Sequence, residues 1–227
     1  MTHQTRTSPF LKVIESDLEQ VQNYLNARVI SAVQLVTETT QYNLTSGGKR
    51  FRPALLILSA RVLGLLDATP IPMAAAVEMV HTATLVHDDL VDGASMRRGR
   101  LTTKKMWGDG VSVLTGDYLF TKAFHIISSQ GDVILSQIMS DVAVKMCEAE
   151  LLQISCRGNV NTAEEDYLRV IYGKTASFVE GCCQMGARLA NATPETEAIL
   201  STYGLKIGMA FQMADDLLNF KGEETDL

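Results

Sequence analysis

Cysteine and proline are scarce in this 227-residue chain, and a composition with only five prolines suits a globular, mostly helical protein. The four cysteines (Cys147, Cys156, Cys182 and Cys183) have neither zinc-ligand spacing nor the density of a disulfide scaffold, so a reducing cytoplasm is their expected setting. No run of 18 apolar residues occurs. The best candidate, 74–86, is interrupted by Glu78 and His81, and no membrane-spanning helix is expected. Residues 1–9 are polar and lack the apolar core of a secretory signal. No Asn-Gly or Asp-Gly turn sits between alternating hydrophobic runs, since Asp92-Gly93 and Asp109-Gly110 adjoin helix-like segments, so strands are not expected. The net charge of −6 argues against general nucleic-acid binding.

What the chain does have is helical periodicity, with hydrophobic residues at 46%. Residues 10–40 read as one long amphipathic helix or two shorter ones. Pro53 stands near the start of another, which Gly64 ends, and Pro70 and Pro72 precede a helix carrying Asp88. Residues 110–128 and 131–156 read as two more. Thr162-Ala163-Glu164-Glu165 has the form of a capping box, and Thr193-Pro194 opens a final helix running to Asp216. The expectation is a single all-α domain over residues 1–227, with about eight to ten helices of ordinary length.

Chemistry concentrates in Leu85-Val86-His87-Asp88-Asp89-Leu90-Val91-Asp92, whose carboxylate pattern nearly returns at Asp215-Asp216-Leu217-Leu218-Asn219. Helical positions i and i+4 share a face, so Asp88 projects beside Asp92, and Asp215 beside Asn219. The plain alternative for an acidic pair is a solvated surface, but the flanking Ala-Ala-Ala-Val and Thr-Leu-Val residues oppose it. Carboxylates clustered on apolar helices repel one another unless a cation lies between them. A hard divalent ion such as Mg²⁺ fills that place with a few carboxylates and substrate phosphates. His81, Leu85, Asp88 and Asp92 form one stripe, with His81 two turns below Asp88.

Basic residues flank this helix. Gly47-Gly48-Lys49-Arg50-Phe51-Arg52-Pro53 places two glycines and three cations at a helix start, a setting that favours anions. Met96-Arg97-Arg98-Gly99-Arg100 follows the helix, and arginine binds phosphate bidentately. Arg100, Lys104 and Lys105 read as solvated loop residues. Two carboxylate clusters and two basic clusters imply two polyanionic substrates, one held through metal and the other directly by cations, in a reaction where metal draws off a diphosphate.

These motifs, together with Val77-Glu78-Met79, Gly173-Lys174-Thr175-Ala176 and Phe211-Gln212-Met213-Ala214-Asp215-Asp216, strongly resemble the trans-isoprenyl diphosphate synthases, or polyprenyl synthetases, over nearly the whole chain. The resemblance implies an all-α isoprenoid synthase fold, a helical bundle around a deep central cavity, usually homodimeric. It implies Mg²⁺ on Asp88, Asp92 and Asp215. Lys49, Arg52, His81 and Arg98 would bind isopentenyl diphosphate, and Arg97, Lys174, Thr175 and Gln212 the allylic diphosphate. Asp88, Asp92, Arg97 and Lys174 would be catalytic, and no side chain would serve as a covalent nucleophile. Thr175 and Gln212 have a plainer role open to them, as hydrogen-bonding partners between helices.

Three departures stand out. Asn219 replaces the family's third aspartate of the second motif, and Leu101 and Lys104 stand where the family often has proline and histidine. The chain ends at Leu227, so the family's C-terminal helices are expected to be missing. Bulky residues about a turn before the first motif limit chain growth in this family. Here Ala83, Thr84 and, a turn deeper, Val80 are not aromatic, which implies a long product of about C30 to C50 by analogy within the fold. A geranylgeranyl or farnesyl diphosphate synthase is the alternative. Outside this class stand a metal-dependent phosphohydrolase, for which four histidines are too few, and a noncatalytic subunit of a heteromeric synthase, which would be expected to lose the acidic clusters.

Overall fold

The computed structural model describes residues 9–221. They fall into two compact units, the first made of residues 9–58 and Leu66–Gly131, the second of Ser59–Leu65 and 132–221. Ten α-helices occur among the described residues, and the only strands among them are two of two residues each.

In the first unit, a 3₁₀ turn at Pro9–Ile14 leads into α1 (Glu15–Arg28) and α2 (Gln34–Leu44). The 10–40 region is therefore two helices. The break lies where Ser31 and Thr37 divert the ladder: the Thr37 hydroxyl accepts from the Ser31 amide at 2.9 Å, and the Ser31 hydroxyl from the Val33 amide at 3.2 Å. Helix α3 (Phe51–Val62) has Pro53 in its first turn and stops at Gly64, where φ is +87°. Helix α4 (Pro70–Val91) begins at Pro70, so both prolines lie inside its first turn, where a missing N–H costs nothing. Of the eleven positions 73–83 of α4, all but Glu78 and His81 are buried apolar or hydroxyl side chains. It packs against α1, α2, α5 (Thr103–Trp107) and α6 (Asp109–Ser128) as the core of this unit.

The unforeseen strands, β1 (Met96–Arg97) and β2 (Arg100–Leu101), form an antiparallel hairpin. Arg98 and Gly99, at φ +49° and +73°, make its turn with the doubly left-handed backbone that suits tight hairpins. Arg100 is not a solvated loop residue. Its guanidinium lies 4.1 Å from the centre of the Tyr42 ring, which in turn meets Trp107 edge-on at 5.1 Å, and the Tyr42 hydroxyl donates to the Leu101 carbonyl at 2.7 Å. This stacked group anchors the hairpin to α2.

The second unit contains α7 (Val133–Cys156), α8 (Glu164–Ile171), a π-helical turn at Tyr172–Ala176, α9 (Ser177–Leu189) and α10 (Pro194–Lys221). The capping box at Thr162 does not form. The N-cap of α8 is Ala163, and the Thr162 hydroxyl donates instead to the Asn159 carbonyl at 2.7 Å. Thr193 does cap α10, accepting from the Thr196 amide at 3.3 Å. That helix runs past Asp216 to Lys221. No disulfide joins the four cysteines. No helix among the described residues is long and apolar enough to cross a membrane.

Candidate functional site

Sequence spacing on α4 and the two loops beside it assemble the first group of site residues. Gly47, Gly48 and Arg50 all have positive φ, at +84°, +144° and +49°, turning the chain sharply before α3. The carbonyl of Arg50 accepts the first helical bond from Ala54 at 2.9 Å, so Arg52 belongs to the first turn of α3. There its guanidinium stands 3.3 Å from Nε2 of His81. Arg98, at the hairpin turn, donates to the Gly47 carbonyl and so ties the hairpin to the glycine loop. A side chain at Gly48 would press on the Arg98 guanidinium at 3.0 Å, in a backbone conformation that also disfavours it. Lys49 is exposed on the same loop.

The arginines around this loop and hairpin act on His81. Loss of hydration first, then the charges of Arg52, Arg98, Arg97 and Arg50, hold its imidazole well below the ordinary histidine value. His81 is therefore neutral near pH 7, and its Nε2 can accept from Arg52. Arg50 and Arg97 act on the ring from ion pairs with Glu78 and Asp89, while Arg52 bonds it directly, so the surroundings of this neutral imidazole are electropositive.

The pH dependence has a definite sign. In the unfolded chain the ring titrates at about 6.5, so above that value both states are neutral and the fold keeps its full stability. Below it the unfolded chain takes up a proton that the folded one refuses, and stability falls by up to about 1.4 kcal/mol per pH unit. The urea midpoint of the wild type is expected to drop between pH 7.5 and pH 5.5 by more than that of His81→Asn. Parallel curves would remove His81 as the cause.

Two turns above His81, about 10 Å along the helix axis, α4 ends in carboxylates. The Asp92 amide donates to the Asp88 carbonyl at 2.8 Å, which keeps Asp92 on the Asp88 face. Asp89 points elsewhere. It is only 5% exposed and pairs with Arg97, whose Nε donates to Oδ1 at 2.7 Å. Burial raises the Asp89 pKa, opposed by that bond. The three aspartates of the motif therefore divide into an outward pair and an inward anchor for an arginine. His87, next in sequence to Asp88, contacts the Val113 carbonyl at 3.2 Å and Asp117 at 3.4 Å, on α6. Only a glycine at 116 leaves room for its ring, since a Cβ there would lie 2.2 Å from Nε2.

No group of three or more histidine, cysteine or acidic side chains among the described residues forms a ready metal cage. A hard divalent ion can bind through one or two carboxylates and draw its remaining ligands from phosphate and water. Asp88 and Asp92 suit such an ion. Both are hard oxygen donors at the negative end of the α4 dipole, where a cation is favoured.

The chain-length positions separate by face. Val80 and Ala83 are fully enclosed and share a stripe with His87, toward α6. Thr84 is half-buried on the stripe of His81 and Asp88, its hydroxyl donating to the His81 carbonyl at 2.8 Å.

The second group lies in the second unit, around a cavity of about 500 Å³ lined by Lys174, Thr175, Gln212, Asp216, Tyr167 and Gln153 among others. The π-turn brings Lys174 to its wall, where Nζ meets Glu150 at 2.5 Å and Gln153 at 3.0 Å. The Thr175 hydroxyl donates to Gln212 Oε1 at 2.7 Å. The Gln212 amide donates to Asp216 Oδ1 at 2.9 Å, and the Tyr167 hydroxyl to Asp216 Oδ2 at 2.8 Å. Thr175 and Gln212 thus do bond each other between helices, and they do so at the cavity wall. Asp215 is exposed and continues the line of Gly204, Gly208 and Phe211 along α10, while Asp216 faces the cavity.

Sequence reasoning missed Tyr167, Glu150 and Asp216 as members of this group. It also missed Gly204 and Gly208, whose four-residue spacing was a usable signal. A Cβ at Gly208 would lie 2.6 Å from the Cα of Ala176, so this glycine allows α10 close enough for the next turn to bring Gln212 to Thr175.

A family model described as polyprenyl synthetase matches residues 33–227. The octaprenyl diphosphate synthase of Escherichia coli (strain K12) is 39% identical over 211 residues, covering 93% of this chain and 65% of that protein. Heptaprenyl diphosphate synthase component 2 of Geobacillus stearothermophilus is 36% identical, covering 94% of this chain and 67% of its own length. Among solved structures, polyprenyl synthase from Caulobacter crescentus CB15, complexed with calcium and isoprenyl diphosphate, superposes with a TM-score of 0.90 at 34% identity, over 94% of this chain and 65% of that one. The chain spans just under two thirds of the length of the E. coli relative.

Proposed function

The chain belongs to the polyprenyl synthetase family and has the all-α isoprenoid synthase fold, and from that premise we propose that it condenses isopentenyl diphosphate with an allylic diphosphate, giving a long all-trans polyprenyl diphosphate. The observation that carries this reading is the Arg52 guanidinium set against buried, neutral His81, beside the Arg98 tie to the glycine loop, on the α4 stripe that ends in Asp88 and Asp92. One helix thereby offers a direct anion site and, two turns away, a pair of metal-binding carboxylates.

In the proposed reaction the C1–O bond of the allylic substrate breaks and the electron pair leaves with diphosphate. The double bond of isopentenyl diphosphate attacks C1, a carbon–carbon bond forms, and a proton passes from the adduct to a base, for which the departed diphosphate suffices. Mg²⁺ held by Asp88 and Asp92, and a further Mg²⁺ on Asp215, would neutralise negative charge developing on the leaving group. Arg97 is aimed by Asp89 and Lys174 by Glu150 and Gln153, so both cations are oriented before substrate arrives. Lys49, Arg52, His81 and Arg98 bind the diphosphate of isopentenyl diphosphate without metal. Thr175 and Gln212 contact the allylic substrate at the cavity wall. The chain works as a homodimer in the cytoplasm in this reading.

Incubation with labelled isopentenyl diphosphate, farnesyl diphosphate and Mg²⁺, followed by sizing of the dephosphorylated products, tests the whole scheme. A ladder reaching about C30 to C50, the range set by family analogy, is expected, and a C20 limit would reassign the chain to short products. Thr84→Phe is expected to shorten the ladder, because an aromatic ring there enters the His81–Asp88 stripe. Ala83→Phe should also shorten it, at an added stability cost of about 1–3 kcal/mol for overfilling an enclosed position. Full-length product from a folded Thr84→Phe protein would rule out the open floor at that position.

A second reading comes from the Geobacillus relative, whose name makes it one component of a synthase. This chain would then act beside a different subunit, and turnover appearing only on addition of that subunit would favour it.

A further inference from the structure

Arg50 is the one cation of the Gly47–Pro53 run that the substrate scheme leaves without a task. It looks in sequence like its neighbours Lys49 and Arg52, yet it faces the protein interior. One terminal nitrogen donates to Glu78, itself only 5% exposed. The other donates to Gln22 Oε1 at 2.7 Å and to the Leu44 carbonyl at 2.6 Å. Gln22 belongs to α1, Leu44 is the last residue of α2, and Glu78 belongs to α4. A single guanidinium therefore joins three helices and neutralises the carbonyl end of one of them. Only arginine has enough donors in a fixed plane to do this, since a lysine would meet the same acceptors as a point charge.

The geometry connects this strut to the anion pocket. Glu78 precedes His81 by three residues and shares its face of α4. Arg50 precedes Arg52 by two residues, and its own carbonyl starts α3. Two cross-links consequently run side by side from the start of α3 to α4, Arg50 to Glu78 and Arg52 to His81. The left-handed backbone at Arg50 directs its side chain inward while Lys49 stays exposed.

We propose that Arg50, through its bond to Glu78, is a positioning residue that sets the spacing of Arg52 and His81 and so the affinity of this pocket for a diphosphate. The inference rests on the reading of that pocket as the site of isopentenyl diphosphate. Arg50 touches no substrate and acts only through the groups that do.

Calorimetric titration of the full chain with inorganic diphosphate in EDTA isolates metal-free binding, and three proteins decide the matter. Arg52→Ala removes a direct contact and is expected to weaken binding. Arg50→Lys keeps the charge but loses the fork, and is expected to weaken binding about tenfold, the scale on which outer support of a site matters. In steady state, the same variant should raise KM for isopentenyl diphosphate with kcat and the allylic KM within twofold, a split that loss of folded protein does not produce. If Arg50→Lys fails to fold, Arg50→Met with Glu78→Leu removes both charges together and avoids a lone buried ion. Its binding is read the same way. Unchanged affinity in a folded Arg50 variant, beside a weakened Arg52→Ala, overturns the inference and leaves the site intact. Unchanged affinity in Arg52→Ala overturns the site itself.

Discussion

In the proposed reaction, Asp88→Asn is expected to lower the rate of prenyl transfer by about 10²–10³-fold, the usual loss when one preorganised group is withdrawn from a transition state, and to leave the folded protein as stable as before or slightly more so. The two halves of that expectation have separate causes. Asp88 and Asp92 sit at the carbonyl end of α4, where the helix dipole disfavours a carboxylate unless a cation is present. In the absence of metal their charges work against the fold by a few tenths of a kcal/mol to about 1 kcal/mol. Neutralising one relieves that cost while removing a ligand. Steady-state turnover with Mg²⁺ and thermal melting in EDTA check both halves on one preparation. A large fall in melting temperature would mean that Asp88 serves the fold. Asp89→Asn should behave differently, because its carboxylate is enclosed against Arg97. Its loss frees the arginine and should cost stability as well as rate.

Gly208→Ala carries the largest expected effect on the fold. The added methyl would lie 2.6 Å from the Cα of Ala176 and 3.1 Å from the Cβ of Val179. Backbone cannot rotate aside as a side chain can, so α10 must move away from the π-turn. Overpacking of this kind costs about 1–3 kcal/mol. The same displacement would withdraw Gln212 from Thr175, one turn further along α10. Denaturant unfolding should show the loss, and Gly110→Ala is the matched control. Gly110 lies in α6, where a Cβ would meet nothing within 4 Å, so alanine there is expected to stabilise by about 0.5–1 kcal/mol through helix propensity. Equal effects at the two glycines would refute the close-approach account.

Helix α4 and its carboxylate stripe were legible in the amino-acid sequence because both depend on local rules. An apolar run sets a buried helix, and a spacing of four sets a shared face, whatever lies around them. The stops at Gly64 and the start at Thr193-Pro194 were legible for the same reason. The capping box at Thr162 misled because its hydroxyl had a second acceptor in reach, the Asn159 carbonyl, and nothing in a four-residue pattern ranks the two. The hairpin at Met96–Leu101 was missed because its turn is made by Arg98, and arginine does not announce a left-handed backbone as Asn-Gly would.

Membership of the family, the all-α class and the identity of the acidic and basic clusters were thus determined by the sequence alone. Only the tertiary structure decided how like residues divide their work. Asp89 turns inward to Arg97 while Asp88 and Asp92 stay on the outward face, and Arg50 joins three helices while Lys49 remains exposed. Adjacent charges of one type are equivalent in sequence. They become different when packing brings a distant acceptor to one of them and excludes water from the pair, since the energy of a charge depends on its partners and its solvation rather than on its place in the chain.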